Sequence, residues 1–402
     1  MNAPISPLGK REFIALMAMS FATIAFSIDA MLPALPQIGS ALTPDALNRA
    51  QLILTSFVLG MGLGTFFTGP LSDAFGRRKV LLGGFVLYMI GAALGILAGS
   101  LELLLAARVI QGIGSAGPRV VALAVIRDQY SGRQMAQLMS FVMMVFTLVP
   151  AFAPSLGAAI IALVGWRGLF GAFVVFALIN SFWFALRQPE TLKPENRREF
   201  RAGKLWEGVK EVLANPTIRI TIAVQTMVFG ALFGMLSSAQ QVFDITFNQG
   251  KNFPLWFGGI ALVAGSASIL NAALVVRLGM RLMVRVTLAT QILLSGTMML
   301  VLLLDIMPGW LYFPAFLIWM TSVFFMAGMS LGNLNAIAME PMGHLAGMAA
   351  SVTSSIFTVL SVIIAAPMGL AFDGTPLPVS TGIFLCSVTA LGLMHLIRKE
   401  PY

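Results

Sequence analysis

One carboxyl and one guanidinium sit deep in apolar sequence. Asp29 is the only acidic residue of the run 13–36, and Arg108 lies inside the run 102–126. A charge in hydrocarbon costs at least a few kcal/mol unless it is paired or wetted, so each residue needs a reason to be there. Counted as helix, Asp29 lies roughly 24 Å from the start of its run and Arg108 roughly 9 Å from the end at which its own run begins. In a hydrocarbon core of ~30 Å, with neighbouring runs antiparallel, the two depths coincide. The spacing makes Asp29 the expected partner of Arg108. A carboxylate beside an arginine at one depth can exchange a proton for a cargo molecule; a purely structural ion pair fits the same spacing.

The elements that must position this pair follow from composition. Of 402 residues, 58% are apolar and only 10% are charged, against about 25% charged in an average soluble domain. That excludes a soluble enzyme, a nucleic-acid module and a disordered chain. Thirty-nine glycines and twenty prolines are better tolerated in membrane helices than in soluble ones. Cys386 stands alone in the sequence, and His344 and His395 are far apart, so no disulfide, metal cluster or nucleophile pair is expected. A spanning helix needs ~20 mostly apolar residues. Twelve runs meet that need, at 13–36, 50–71, 80–99, 102–126, 136–163, 166–186, 217–241, 254–276, 284–304, 310–334, 345–371 and 378–397. The first is too long for a signal-peptide core and reads as a retained span.

Charge sets the orientation. With the N-terminus inside, the outer loops hold only Arg49, Arg167 and Lys251 of the twenty-five Lys and Arg residues. Arg108 and Arg119 lie within the fourth run, and all the others fall on the inner side. The asymmetry predicts both termini in the cytoplasm and accounts for the net charge of +9 without nucleic acid. The longest polar stretch, 187–216, separates a six-span unit, 1–186, from a second, 217–402. Within it Leu205, Trp206, Val209, Val212 and Leu213 fall at helical spacing, predicting a short amphipathic linker helix on the inner membrane surface. An internal repeat supports the division: Leu71, Gly76 and Arg78 match Leu274, Gly279 and Arg281 at one offset, close to half the chain. Two parallel six-helix repeats imply a transporter with its site at their interface.

The loop after the second run carries the most specific motif. Gly69-Pro-Leu-Ser-Asp73-Ala-Phe-Gly76-Arg77-Arg78 resembles the loop signature of the major facilitator superfamily, in full and in its usual place. The fourth run, with Arg108, Gln111 and Gly112, resembles that family's second signature, and Pro150, Pro154 and Gly157 of the fifth resemble its exporter signature. The last departs from the family pattern at Ala153 and Ala158. Asp29 to Pro36 and Ala338 to Ser351 are similar to the bicyclomycin-resistance type of drug:proton antiporter. The resemblance implies an all-α integral membrane fold of two six-helix bundles. It makes 69–78, with Gly69, Asp73, Gly76, Arg77 and Arg78, a conformational latch, and assigns Arg108 to proton coupling.

Spans one, four, seven and ten line the cavity in that family, which points to Gln111, Ser115, Arg119, Gln225, Gln240, Asn333 and Asn335. Arg108, Gln111, Ser115 and Arg119 share one helix face. Two arginines against one carboxylate favour a neutral, zwitterionic or anionic cargo. Alternatively, Arg119 pairs with lipid phosphate, backbone carbonyls or Asp128, and the amides tie helices together. The resulting expectation is a proton-coupled exporter of small organic molecules in a bacterial cytoplasmic membrane. It is monomeric, needs no cofactor beyond the proton gradient, and has protons, cargo and lipid as its partners. The alternative is a dedicated exporter of one anionic or zwitterionic metabolite. A membrane-embedded enzyme is not expected, since no run holds a His/Asp/Glu cluster.

Overall fold

Proline and glycine mark two of the breaks in these helices. The computed structural model describes residues 8–197, 200 and 202–397, and among them the secondary structure is helical. The helices are α1 (Lys10–Asp29), α2 (Leu35–Leu42), α3 (Leu52–Phe75), α4 (Arg77–Leu97), α5 (Leu101–Gln129), α6 (Gly132–Arg187), α7 (Ala202–Ala214) and α8 (Pro216–Gln241). They continue as α9 (Phe253–Leu278), α10 (Met280–Leu304), α11 (Gly309–Met339), α12 (Ala346–Leu370) and α13 (Leu377–Leu396).

Eleven stretches of these described residues are long and apolar enough to cross a membrane, where the sequence predicts twelve. The runs 136–163 and 166–186 account for the difference. Both lie within α6, which is two helices meeting at a kink: Gly165, at φ 72°, ψ 176°, is not helical, a conformation essentially confined to glycine. Two apolar spans thus meet at one glycine without a loop.

The first run also departs from a single helix. α1 stops at Asp29, a short 3₁₀ turn covers Leu32–Ala34, and α2 follows. Pro33 and Pro36 have no N–H to continue the i→i−4 ladder. The chain tightens before them: Met31 N–H donates to Ile28 O at 3.3 Å and Ala34 N–H to Met31 O at 3.0 Å. In a continuing helix Met31 would bond the carbonyl of Ser27; the 3₁₀ turn releases that carbonyl.

The chain forms two compact units. One contains the chain up to Ala34 together with Ser56–Leu205; the other contains Leu35–Thr55 together with the chain from Trp206 onward. Residues 35–55, the loop between the first two runs with the run ends that flank it, therefore belong with the second unit by their contacts. In that unit α7 buries Val209 and Val212 and sets Gly208 against Met348. The apolar face predicted to lie on the membrane is thus partly spent on protein. Trp206 remains 59% exposed, with Lys210 Nζ 5.7 Å from its ring centre.

Candidate functional site

The first unit places Asp29 and Arg108 where apolar packing is closed. Asp29 is the last residue of α1 and is 5% exposed; Arg108, on α5, is fully buried. Beside the break, α6 comes within backbone contact of the chain: a Cβ on Gly157 would collide with the carbonyl of Ala30. Phe26 packs on Phe173 and Phe176 of the same helix. Gly157→Leu is expected to cost at least about 1–3 kcal/mol through overpacking, because the obstacle is backbone and cannot rotate away. The check is a fall in melting temperature of the purified protein, with Gly171→Ala, where a Cβ meets nothing within 4 Å, as the matched control.

The Arg108 guanidinium donates to Gln111 Oε1 at 2.7 Å and to the carbonyl of Ser27 at 3.0 Å. Its carbon lies 4.3 Å from the centre of the Phe57 ring. These described contacts do not include the Asp29 carboxylate, the partner that depth alone suggested. The physical reason is the broken helix. Ser27 O is the carbonyl that the 3₁₀ turn released, and the C-terminal end of a helix carries partial negative charge. A cation one hydrogen bond from an orphaned carbonyl is a helix C-cap. Arg108 therefore holds the end of α1, two residues from Asp29.

Neutral groups fix that cap. Ser27 Oγ and the Tyr88 hydroxyl lie 2.5 Å apart, tying α1 to α4. Tyr88, Ser27 and Phe57 escaped the sequence reading because a tyrosine, a serine and a phenylalanine in apolar runs carry no signal of their own. Ser115, on the face shared with Arg108, bonds back to Gly112 O at 2.7 Å, and Gln111 Nε2 is buried without a partner. Arg119 is partly exposed, and its described contact is Met61 Sδ at 4.0 Å. Asp128, one candidate partner for it, is engaged elsewhere: it accepts from Arg77 Nε at 3.1 Å and from the Thr191 hydroxyl at 2.8 Å.

The signature loop lies in the same unit. Gly69 and Asp73 are in the last turns of α3, Gly76 turns the chain, and Arg77 and Arg78 open α4. Arg77 bridges Asp73 and Asp128 and reaches Ser72 Oγ at 2.7 Å. Pro150 and Pro154 lie within α6, about two turns and one turn before Gly157 respectively.

The remaining cavity candidates belong to the second unit and divide by role. Asn333 exchanges hydrogen bonds with Asn271, the shorter at 2.7 Å, which makes it a tie between α11 and α9. Gln225 donates to Asn335 at 2.7 Å. Gln225 is buried with its Oε1 unpartnered, whereas Asn335 is exposed. Gln240 lines a small pocket with Leu35, Gln51, Ser237 and Gln241. Of these, Gln51 donates to Gln241, and Gln241 to Asn48 Oδ1 at 2.8 Å. This is a chain of amides with no charge in it.

The family is settled by comparison with known proteins. The family model of the Major Facilitator Superfamily matches residues 16–366. The chain belongs to the Major Facilitator Superfamily. Its members are transporters rather than enzymes. Among similar proteins is an uncharacterised transporter of this superfamily from Bacillus subtilis, 26% identical over 98% of both chains. A bicyclomycin resistance protein homolog from Haemophilus influenzae is 29% identical over 74% of this chain and 75% of its own length. The crystal structure of a D-xylose-proton symporter superposes with a TM-score of 0.72 at 16% identity, covering 95% of this chain and 97% of that one; it shares the superfamily fold.

Proposed function

We propose that this superfamily member is a proton-coupled antiporter that exports small organic molecules across a bacterial cytoplasmic membrane, with both termini in the cytoplasm. The observation that supports it most is the interrupted first span. A buried carboxyl ends α1, and the nearby guanidinium is bound to the carbonyl which that interruption frees. Ionised, Asp29 offers Arg108 a full negative charge in place of a partial one, in low dielectric. Protonated, it offers none, and the cap on Ser27 O is the better partner. One proton thus shifts Arg108 between two partners on either side of a helix end, and α1 moves with it. Asp29 takes its proton as cargo leaves and gives it up on the cytoplasmic side as cargo binds. The name of the Haemophilus relative supports a drug-like cargo.

A dedicated exporter of an anionic or zwitterionic metabolite is the second reading. It is favoured by Arg119, partly exposed, with no carboxylate pairing with it among the described residues. The test is reconstitution in liposomes holding an internal pH dye, under an imposed proton gradient, with pooled cationic, neutral and anionic compounds. Cargo-triggered proton flux is the expected result, and the charge class of the active compounds decides between the readings. Absence of flux with every pool sinks the antiport assignment.

A further inference from the structure

The residues just after the sixth run, predicted only to link two halves, grip the signature loop. Glu190 Oε1 accepts from the backbone N–H of Arg77 at 2.9 Å and of Leu192 at 3.1 Å, and its Oε2 accepts from that of Arg78 at 3.1 Å. Arg77 and Arg78 open α4, and the first N–H groups of a helix have no partner within it. A carboxylate there is favoured by hydrogen bonding and by the helix dipole together. The next residue holds the same place from the other side. Thr191 donates to Asp128 Oδ2, the oxygen that also takes Arg77 Nε. The Arg78 guanidinium bonds the carbonyl of Ala185, in the last turn of α6.

Gly76 has φ 100°, and a Cβ there would strike Glu190 Oε2, with Arg197 Nη2 3.4 Å away. The glycine of the signature thus serves a second purpose besides its turn: it leaves room for a carboxylate that comes from more than a hundred residues later in the chain.

We propose that Glu190 is a positioning residue for transport. It fixes the start of α4 so that Arg77 returns to the same geometry with Asp73 and Asp128 in every cycle. Through it the 187–216 stretch is tied to the signature loop. Glu190 touches no cargo, so it sets how fast the protein cycles and leaves cargo affinity alone. The proposal rests on the transport reading, and the experiment separates the two.

Initial rates of cargo-driven proton flux are measured in proteoliposomes against cargo concentration, for wild type, Glu190→Ala, Glu190→Gln and Thr191→Ala. Glu190→Ala is expected to lower the maximal rate about tenfold, the scale of one hydrogen bond to a charged group, with the cargo KM unchanged. Glu190→Gln keeps one acceptor oxygen and is expected to recover part of the rate. Thr191→Ala, which leaves the Glu190 cap on α4 in place, is expected to show a smaller loss of the same kind. A wild-type rate in Glu190→Ala, a KM that rises as the rate falls, or a Gln variant no better than Ala overturns the positioning role. If Glu190→Ala does not fold, Glu190→Gln and Thr191→Ala decide, and wild-type values in both overturn it. Wild-type protein without flux overturns the transport reading instead.

Discussion

Asp29→Asn is expected to bring cargo-driven proton flux down to the level of protein-free liposomes while the protein keeps its fold and binds cargo. Asparagine matches aspartate in size, so the packing of a 5% exposed side chain is preserved. Its amide offers both donor and acceptor, but it can neither ionise nor carry a proton across. The substitution also removes the only full negative charge in the first run, so Arg108 stays on the carbonyl of Ser27 at every pH. A transporter fixed in that state still binds cargo. Asp305→Asn serves as the control. Asp305 is exposed at a helix end with φ 49°, where Asp and Asn are both tolerated, and wild-type flux is expected. Full proton-coupled flux in Asp29→Asn would remove Asp29 from the mechanism.

The parts of this protein that sequence made legible are those set by composition and local chemistry. Apolar runs of membrane length located the spans, and the spaced Gly, Asp and Arg of residues 69–78 located the loop between the second and third. Even the kink in α6 has its cause in one residue, Gly165, which falls between the two runs 136–163 and 166–186 read from the sequence. The partners of the site were another matter. Depth matching brought Asp29 and Arg108 to one level, yet a depth is one coordinate of three. The group that takes Arg108 is a backbone carbonyl, and every residue has one. Nothing in the sequence marks the carbonyl of Ser27 as free, since the residue four positions on, Met31, has an N–H to offer. The Asn333–Asn271 tie is a similar case, because an amide in an apolar run reads alike whether it faces cargo or a neighbouring helix. Glu190 illustrates the limit from the other side. It lies in a polar stretch where a carboxylate is unremarkable, and its role depends on a helix start elsewhere in the chain.

Arg108 carries the second large effect, and two substitutions separate its charge from its shape. Lysine keeps the positive charge but is a compact point donor in place of a planar fork. It can reach Ser27 O or Gln111 Oε1, not both, and it does not lie flat on Phe57. With a charge-assisted bond lost, transport is expected to fall roughly 10- to 100-fold in Arg108→Lys, in a protein that still folds. Alanine removes the charge as well. The carbonyl of Ser27 is then buried without a donor, which costs about 1–3 kcal/mol, and Gln111 loses the cation that holds it. Arg108→Ala is therefore expected to melt at a lower temperature and to show no cargo-driven flux. Rates in liposomes and melting temperatures in detergent, measured on both variants, give the comparison. If Arg108 were an ordinary structural cation paired to Asp29, Asp29→Asn combined with Arg108→Ala would restore stability by removing both charges. Under the helix-cap arrangement the double variant stays as unstable as Arg108→Ala, because the group left unsatisfied is the Ser27 carbonyl and Asp29 has no part in it.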